Sequence, residues 1–419
     1  MKSFEGTIEG QLRRTLGIGF VGAGFINSFH VRGWTRVRDA DIKAVCDVKK
    51  ERAEALASLC RDLNVGNPTV YTDVSEIVND PEVEALWLGV PNFAKLDVLK
   101  TVVEEVTQGK ANLIGMCSEK PLARNVAEAE EMMKLVKKTG MLHGYLENQA
   151  FAPSLLKGKE IIWSHAAQRY GRPYLARAAE EHAGPHEPWF WQGRSSGGGV
   201  LLDMMCHSYE AGRVLLTAPR EKKDALKPKS ISAETAFLKW TAAEYVEKLK
   251  LRTNGVVDYS KAPCEDFARG NLTFETSDGR VAVVEATTSW SFVGAGLRLT
   301  FELLGPEYSL QINSLQPESY VFFSRDVKHA AGEELLEKQS ADQGLMPVIA
   351  DESYTYGYQN EDSHMVQSFL KRVLPAENWA DGLLMVKLCM ASYMAAESGR
   401  KLEFPPEGLE TFIPASARG

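Results

Sequence analysis

An aspartate and a histidine stand four positions apart, at Asp203 and His207, shortly after three consecutive glycines at 197–199. On a helix this spacing places both side chains on one face, where they can hydrogen bond to each other. A carboxylate that holds one imidazole nitrogen leaves the other free to accept or deliver a proton. The glycines allow a ligand or another part of the chain to approach the backbone closely. The spacing therefore predicts a general acid–base pair, with a solvated Asp–His pair as the alternative.

A lysine in a constrained setting offers a second reactive group. Glu119, Lys120 and Pro121 closely follow the apolar segment 113–117. If that segment is a strand of a parallel sheet, these residues lie at its carboxyl edge, where such sheets bind ligands. A lysine there can contact a ribose or a reacting oxygen. A surface salt bridge before a helix is the alternative.

Histidines and acids also cluster between residues 180 and 187, in the segment EEHAGPHEPWFWQGR. Gly184 and Pro185 prevent a helical pair of His182 and His186, and no other metal-ligand spacing accompanies them, so no metal site is predicted. Contact with a substrate is the better use for both histidines. Two nearby tryptophans belong either to the core or to a surface that stacks on a sugar. The predicted substrate contacts are Asn148, His182, His186, Trp189, Trp191 and Arg194.

A candidate dinucleotide site lies in the segment LGIGFVGAGFIN at 16–27. An apolar strand leads into Gly22 and Gly24, and a helical pattern follows over 25–37. Gly22 permits a tight turn, Gly24 leaves room for a pyrophosphate, and the helix N-terminus offers N–H groups to the anion. Asn27 replaces the third glycine of the usual fingerprint. The predicted cofactor contacts are Gly22, Gly24, Phe25, Ile26, Asn27, Asp47, Pro91, Asn92, Glu119 and Lys120.

The aspartate of this set, Asp47, supports the cofactor prediction. It ends a second apolar strand at 42–46 and lies roughly 20 positions after the glycines, where an acidic residue accepts hydrogen bonds from an adenosine ribose. A carboxylate there also repels a 2′-phosphate, so NAD is predicted in preference to NADP. Lys49 and Lys50 are the residues that would favour NADP instead. A glycine turn in an ordinary βαβ unit, with an incidental aspartate, is the alternative.

The elements that must position these residues fall into two groups. Over residues 1–150, alternating apolar strands and amphipathic helices predict a domain with a doubly wound parallel sheet, which is able to bind the dinucleotide. Its strand candidates are 16–21, 42–46, 69–71, 85–90, 113–117 and 142–145, and its clearest helices are 51–63 and 126–138.

Residues 151–419 predict a second domain with an open, mostly antiparallel sheet and helices. A charged, weakly patterned piece at 241–266 is predicted to be an insertion on its rim. The strand candidates are 173–179, 228–238, 269–276, 280–290, 297–304, 307–313 and 319–323, and the helix candidates include 153–164, 200–216 and 383–396.

The composition is that of a globular protein, with 419 residues, a net charge of −8, 44% hydrophobic and 25% charged residues. The negative charge argues against nucleic acid or an anionic membrane as the main partner. No apolar run reaches the ~20 residues of a membrane span, and the first residues lack a signal-peptide core. Six dispersed cysteines are expected as reduced thiols. We therefore expect a cytoplasmic protein with a small-molecule substrate.

Four motifs together resemble those of the Gfo/Idh/MocA oxidoreductases, which include glucose–fructose oxidoreductase and inositol dehydrogenase. They are GFVGAGFIN, VPN, SEKPLA and GGGVLLDMMCH, in this order along the chain. The resemblance implies a Rossmann domain followed by an open-sheet domain, with NAD and a sugar or cyclic polyol meeting between them. It also implies a homodimer or homotetramer.

The same resemblance implies a catalytic trio of Lys120, Asp203 and His207. In such relatives the histidine takes the hydroxyl proton while a hydride leaves the same carbon for the nicotinamide. The lysine stabilises the developing alkoxide, and the aspartate orients the histidine.

Three places depart from the family pattern and leave the identity of the substrate open. Met205 stands where a glycine is usual, Lys95 where a histidine is common, and 147–151 where an arginine is common. An NAD-dependent dehydrogenase of a sugar, sugar derivative or inositol is the first hypothesis. The alternative is an NAD-dependent redox glycoside hydrolase or lyase that acts through a transient keto-sugar, with an extra acid or base from 180–187. A non-catalytic regulator is a third hypothesis, against which the intact trio argues.

Overall fold

The computed structural model describes residues 14–324, 336–339 and 343–418 of the chain. Its first part alternates strands and helices, as the apolar periodicity predicts. The strands are β1 (Leu16–Val21), β2 (Ala40–Cys46), β3 (Gly66–Tyr71), β4 (Ala85–Leu88), β5 (Gly115–Glu119) and β6 (Leu142–Leu146). The helices are α1 (Phe25–Gly33), α2 (Lys50–Asp62), α3 (Val74–Val78), α4 (Lys95–Thr107) and α5 (Val126–Thr139).

The six strands form one parallel sheet in the order β3-β2-β1-β4-β5-β6, which confirms the predicted doubly wound fold. Strand β1 lies in the middle of this sheet, and all six of its residues are buried. Helices on both faces shield it from water. This is why its sequence is uniformly apolar instead of alternating.

The second part is built on a mixed sheet of seven strands in the order β12-β11-β7-β10-β9-β8-β15, and a separate hairpin pairs β13 with β14. Among the strands that the structure describes in this sheet, β7 and β10 alone pair in parallel, so the sheet is mostly antiparallel, as predicted. The strands are β7 (Leu175–Glu181), β8 (Lys227–Ala236), β9 (Phe267–Glu275), β10 (Val281–Ser289), β11 (Arg298–Gly305), β12 (Tyr308–Asn313), β13 (Tyr320–Phe323), β14 (Gly344–Pro347) and β15 (Leu402–Glu403).

Helices cover one face of this sheet. The long helices α9 and α13 pack against its strands. The opposite face carries exposed ion pairs, such as Arg177 with Glu285 and Arg269 with Glu234. The helices of this part are α6 (Pro153–Ile161), α7 (Ala167–Tyr170), α8 (Gly193–Ser196), α9 (Val200–Leu216), α10 (Ala243–Arg252), α11 (Glu352–Thr355), α12 (Tyr358–Leu370), α13 (Trp379–Ser398) and α14 (Ala415–Arg418).

The segment 241–266, predicted as an insertion on the rim, contains helix α10 and contributes to the core. Leu249 is fully buried, and the ring of Tyr259 lies 5.4 Å from that of Trp191. The charged residues of α10 lie on its exposed side, so they dominate the sequence pattern and hide the narrow apolar stripe beneath them.

Helix α12 joins the core of the first sheet although it comes late in the chain. Its Met365, Val366 and Phe369 are fully buried and belong to the same apolar cluster as Phe20 and Trp87. All six cysteines are buried free thiols. Within the described residues, the helices are too short or too polar to cross a membrane.

Candidate active site

A cleft of about 400 Å³ lies at the carboxyl ends of β1, β4 and β5, opposite the ends of β7 and the first half of α9. This is the edge at which open parallel sheets bind their ligands. The predicted cofactor contacts line the cleft, with the exception of Asn27, and so do the predicted catalytic residues Lys120, Asp203 and His207. The fold therefore brings residues from both parts of the chain to one site.

The glycine turn after β1 has the shape that a dinucleotide site requires. Gly22 has a φ of +93°, which favours glycine, and a Cβ there would lie 2.5 Å from the carbonyl oxygen of Gly89. A Cβ at Gly24 would meet no atom within 4 Å, so this residue faces open space. The Asn27 amide donates to the carbonyls of Gly22 and Val21 at 2.6 and 3.1 Å. The side chain of Asn27 therefore stabilises the turn from its buried side and does not line the cleft.

Asp47 is anchored beside this turn at the end of β2. Its Oδ2 accepts a hydrogen bond from the backbone N–H of Ala23 at 2.7 Å, and its Oδ1 accepts one from that of Lys49 at 2.9 Å. The carboxylate lines the cleft, in a place where it can accept hydrogen bonds from ribose hydroxyls.

Lys120 reaches across the cleft to helix α9. Its Nζ donates to the backbone carbonyl of Asp203 at 2.9 Å and to Oδ1 of the same residue at 3.2 Å. Burial alone would lower the pKa of Lys120, but nearby acids, Asp203 foremost, raise it above its ordinary value. The ammonium is therefore charged at neutral pH.

The loop that carries Lys120 is held from below by a second lysine. Lys95 is buried, and its Nζ donates to the carbonyls of Glu119 and Pro121, each at 2.5 Å. Burial lowers the pKa of Lys95 to about 7. Lys95, at the position where the family commonly has a histidine, thus serves as a brace for the loop.

His207 is flanked by two carboxylates that come from other elements. Its Nδ1 is hydrogen bonded to Oε1 of Glu147, and its Nε2 lies 3.9 Å from Oε2 of Glu180. Gln149 donates from its amide to the same Glu180 oxygen at 2.8 Å. Burial lowers the pKa of His207 to about 4, whereas burial raises the pKa values of Glu147 and Glu180.

Asp203 does not orient His207, which corrects that part of the predicted trio. Its carboxylate is hydrogen bonded to Lys120 and, through Oδ2, to the indole N–H of Trp290 at 3.2 Å. The spacing of four residues does put both side chains on the cleft side of α9. The carboxylate that holds the imidazole is nevertheless Glu147, at the end of β6.

Four predicted substrate contacts line the cleft and two do not. Those that do are Asn148, His182, His186 and Trp189. Burial lowers the pKa of His186 to about 4 and that of His182 well below its ordinary value, so both rings are neutral. Trp191 is buried among the rings of Trp240, Tyr259 and Trp290 and belongs to the core. The guanidinium of Arg194 donates to the carbonyl of Arg418 at 3.5 Å, away from the cleft.

Sequence reasoning missed Glu147 and Gln149 as site residues, and it considered Glu180 only as an extra acid or base for the redox-glycosidase alternative. Glu147 and Gln149 lie in the short segment where the family commonly has an arginine, so the departure itself was the available signal. Glu180 lies in the acidic run at the end of β7. Lys338 also lines the cleft, from a segment without a recognisable motif.

Two buried groups of carboxylates outside the cleft hold cationic side chains. Nδ1 of His30 lies 2.9 Å from Oδ2 of Asp362, and Arg213 donates to Glu210 and Asp381, each at 2.6 Å. Burial alone would lower the pKa of His30, but Asp362 and Glu119 raise it well above its ordinary value. These acids are therefore engaged in ion pairs with the protein's own cations.

Two family models match the chain. The model described as "Oxidoreductase family, NAD-binding Rossmann fold" matches residues 16–145, and the "GFO/IDH/MocA C-terminal domain" matches residues 164–311. Together they cover more than half of the sequence and include Lys120, Asp203 and His207.

Individual relatives support the same grouping. The uncharacterized oxidoreductase YrbE of Bacillus subtilis is 25% identical over 47% of this chain and 53% of its own length. The myo-inositol 2-dehydrogenase of Thermotoga maritima is 26% identical over 48% of this chain and 54% of its own. The chain thus spans about half the length of these curated relatives.

A solved structure shares the fold of this chain. It is GenD2 from gentamicin A biosynthesis, in complex with NAD, with a TM-score of 0.73 and 22% sequence identity over 93% of this chain and 97% of that one. The matched models and the shared fold show that this chain belongs to the Gfo/Idh/MocA oxidoreductase family.

Proposed function

We propose that this protein is an NAD-dependent dehydrogenase that transfers a hydride between a carbinol carbon of a sugar, sugar derivative or inositol and the nicotinamide. The observation that carries this proposal is the convergence of two side chains on the cleft that contains the glycine turn: Lys120, from the loop after β5, and His207, from helix α9. Similarity to a myo-inositol 2-dehydrogenase supports the substrate class. Similarity to GenD2 in its NAD complex supports the cofactor.

The residues at the glycine turn fit NAD. Gly24 faces open space, so a diphosphate can approach the backbone. The first turn of α1 carries no acidic side chain to repel it. Asp47 is fixed where it can hydrogen bond to a ribose and would repel a 2′-phosphate, so we expect NAD to bind more tightly than NADP. Once bound, NAD supplies the nicotinamide ring that accepts or returns the hydride.

The protein's own residues supply the proton and charge chemistry. With its pKa near 4, His207 is neutral at pH 7. When Glu147 accepts the Nδ1 hydrogen, Nε2 is left free to take the proton of the substrate hydroxyl. Lys120 keeps its positive charge and stabilises the negative charge that develops on the same oxygen. Asp203 holds the ammonium of Lys120 in place.

The test is turnover of a panel of sugars, inositols and glycosides with NAD, following NADH absorbance and aglycone release together. We expect product and NADH to form one for one. Release of an aglycone without net NADH, and with solvent deuterium in the product, would overturn the proposal in favour of a redox glycosidase.

We also infer a cytoplasmic homodimer or homotetramer. The family resemblance and the exposed face of the seven-stranded sheet support the assembly, and six buried free thiols support a reducing compartment. Light scattering on the purified protein measures the assembly directly.

A further inference from the structure

A short described segment, residues 336–339, reaches the cleft from the side of the second sheet. The backbone N–H of Leu297 donates to the carbonyl of Glu337 at 3.1 Å. The N–H of Glu337 donates to the carboxylate of Glu352 at 2.9 and 3.0 Å. Leu336 is buried. These contacts fix the backbone just before Lys338, whose side chain lines the cleft.

The backbone at Lys338 is unusual for its residue type. Its φ is +60°, in the left-handed region that residues other than glycine adopt uncommonly. Such conformations cost free energy and concentrate at sites where the surroundings hold a side chain for a purpose. Lys338 combines such a conformation with a side chain that lines the cleft.

The ammonium of Lys338 lies close to the first residue of α1. Its Nζ is 5.8 Å from the centre of the Phe25 ring. Among the described residues, none has a carboxylate within ion-pair distance of this nitrogen. Burial lowers the pKa of Lys338, and the nearby acids offset this only in part. A partly desolvated ammonium that has no direct carboxylate partner in the described part of the chain gains strongly from an anionic ligand.

The N-terminus of helix α1, which lies next to Lys338, indicates which anion the lysine would bind. The helix starts after Gly24 without a side-chain cap, so its first N–H groups and its dipole favour an anion. The three residues of its first turn, Phe25 to Asn27, carry no basic side chain to share in that role. Lys338 is a cation in the same cleft, supplied by the other part of the chain.

We propose that Lys338 is a diphosphate-binding residue, whose ammonium pairs with a phosphate oxygen of NAD seated on the glycine turn and the N-terminus of α1. The inference rests on the proposed function for the presence of NAD. If Lys338 has this role, a residue from the second part of the chain contributes to the cofactor site, in addition to the glycine motif of the first sheet.

The experiment measures equilibrium binding by calorimetry at low ionic strength with three probes: NAD, ADP and adenosine. Lys338→Met should weaken NAD and ADP binding by about tenfold or more, the usual share of a charge-assisted hydrogen bond, and leave adenosine binding unchanged. Lys338→Arg should retain most of the affinity because it keeps the charge. Lys157→Met, which removes an exposed lysine paired with Glu160, is the control and should bind all three probes normally.

Several outcomes would overturn the inference. The inference is overturned if Lys338→Met binds NAD and ADP as tightly as the wild type does. It is also overturned if the variant loses affinity for adenosine by the same factor as for NAD and ADP, because that result indicates a general structural defect. A third result also contradicts it: Lys338→Met binds NAD normally but has a raised KM for a uronic acid and an unchanged KM for the matching neutral sugar. Lys338 would then pair with an anionic group of the substrate and not with the diphosphate. Wild-type protein that fails to bind NAD overturns the proposed function itself, so the two failures are distinguishable.

Discussion

At the level of single residues, the proposed general base, His207, is hydrogen bonded to a carboxylate that lies 60 positions away in the sequence. Glu147 holds Nδ1 of His207 and thereby decides which nitrogen carries the hydrogen. Replacing it with glutamine allows an amide N–H to face Nδ1, which leaves the hydrogen on Nε2. We expect Glu147→Gln to lower kcat by about 10²- to 10⁴-fold, the share of a general base, with little change in the Kd for NAD.

The pH profile separates this role from a merely structural one. A proton added to the Glu147–His207 pair occupies the basic nitrogen, so kcat/KM of the wild type should rise with pH as the pair loses that proton. Glu147→Gln should abolish this rise of kcat/KM with pH or shift it to another pH. His207→Ala should lose activity by a similar factor and lack this rise as well. An unchanged profile in Glu147→Gln would contradict the assignment.

The site could be predicted in part because some of its chemistry is local in sequence. Lys120, Asp203 and His207 stand in motifs whose spacing implies a shared surface, and they do line one cleft. The partner of His207 could not be found in this way. Spacing along one helix says nothing about a side chain that the sheet topology brings from the end of β6, so the sequence pointed to Asp203, whereas in the structure Glu147 is hydrogen bonded to Nδ1 of His207.

At the level of elements, helix α4 supports the loop that carries Lys120. Lys95→Met removes the donor to two buried carbonyls, Glu119 and Pro121. We expect the free energy of unfolding to fall by about 1–3 kcal/mol, the cost of unsatisfied buried groups. We also expect kcat to fall about tenfold or more, because Lys120 is displaced. Urea titration and steady-state kinetics measure both.

Lys100→Met is the matched control for this change. It removes a half-exposed lysine from the same helix and should alter neither stability nor kcat. Equal behaviour of the Lys95 and Lys100 variants would show that Lys95 is not a brace.

The contact of α1 with α12 should make stability depend on pH. The pKa of His30 is raised in the folded protein by Asp362 and Glu119, against the effect of burial. Its stabilising contribution is therefore fully present below the unfolded-state value of roughly 6.5 and is lost as the pH rises through the folded-state pKa. His30→Gln should be less stable than the wild type by about 3–5 kcal/mol at pH 6, as for other broken buried pairs.

That difference should narrow as the pH is raised from 6 to 10 in urea titrations. A difference that stays constant or grows over this range would mean that His30 is not held as a cation.

The elements themselves differ in how far the sequence predicts them. Strand β10, predicted at 280–290, spans Val281–Ser289, because alternation of buried and exposed residues defines it. Strand β14 was not predicted, since four residues are too short to show alternation. Helix α10 was missed for a different reason: its charged face outweighs its apolar stripe.

At the level of the whole molecule, the two sheets should unfold together. Helix α12 belongs to the later part of the sequence but buries Phe369 against Trp87 of the first sheet, with ring centres 5.9 Å apart. We expect calorimetry to show one main transition. Phe369→Ala should lower the stability of the molecule as a whole by about 3–5 kcal/mol, the usual cost of a large cavity.

Leu374→Ala is the control, because that side chain is about half exposed just beyond the same helix and should change little. Two well-separated transitions, of which Phe369→Ala shifts only one, would contradict this expectation.

The late position of helix α12 also bears on how the protein is made. A ribosome releases the chain from its N-terminus, so strands β1 to β6 emerge well before α12 does. At roughly 5–20 residues per second, the nascent first sheet waits on the order of ten seconds or more for this helix. During that interval the surface of Trp87 that Phe369 later covers is open to chaperones and to other nascent chains. A circular permutant that begins with α12 would remove the delay, because the covering helix would then be synthesised first.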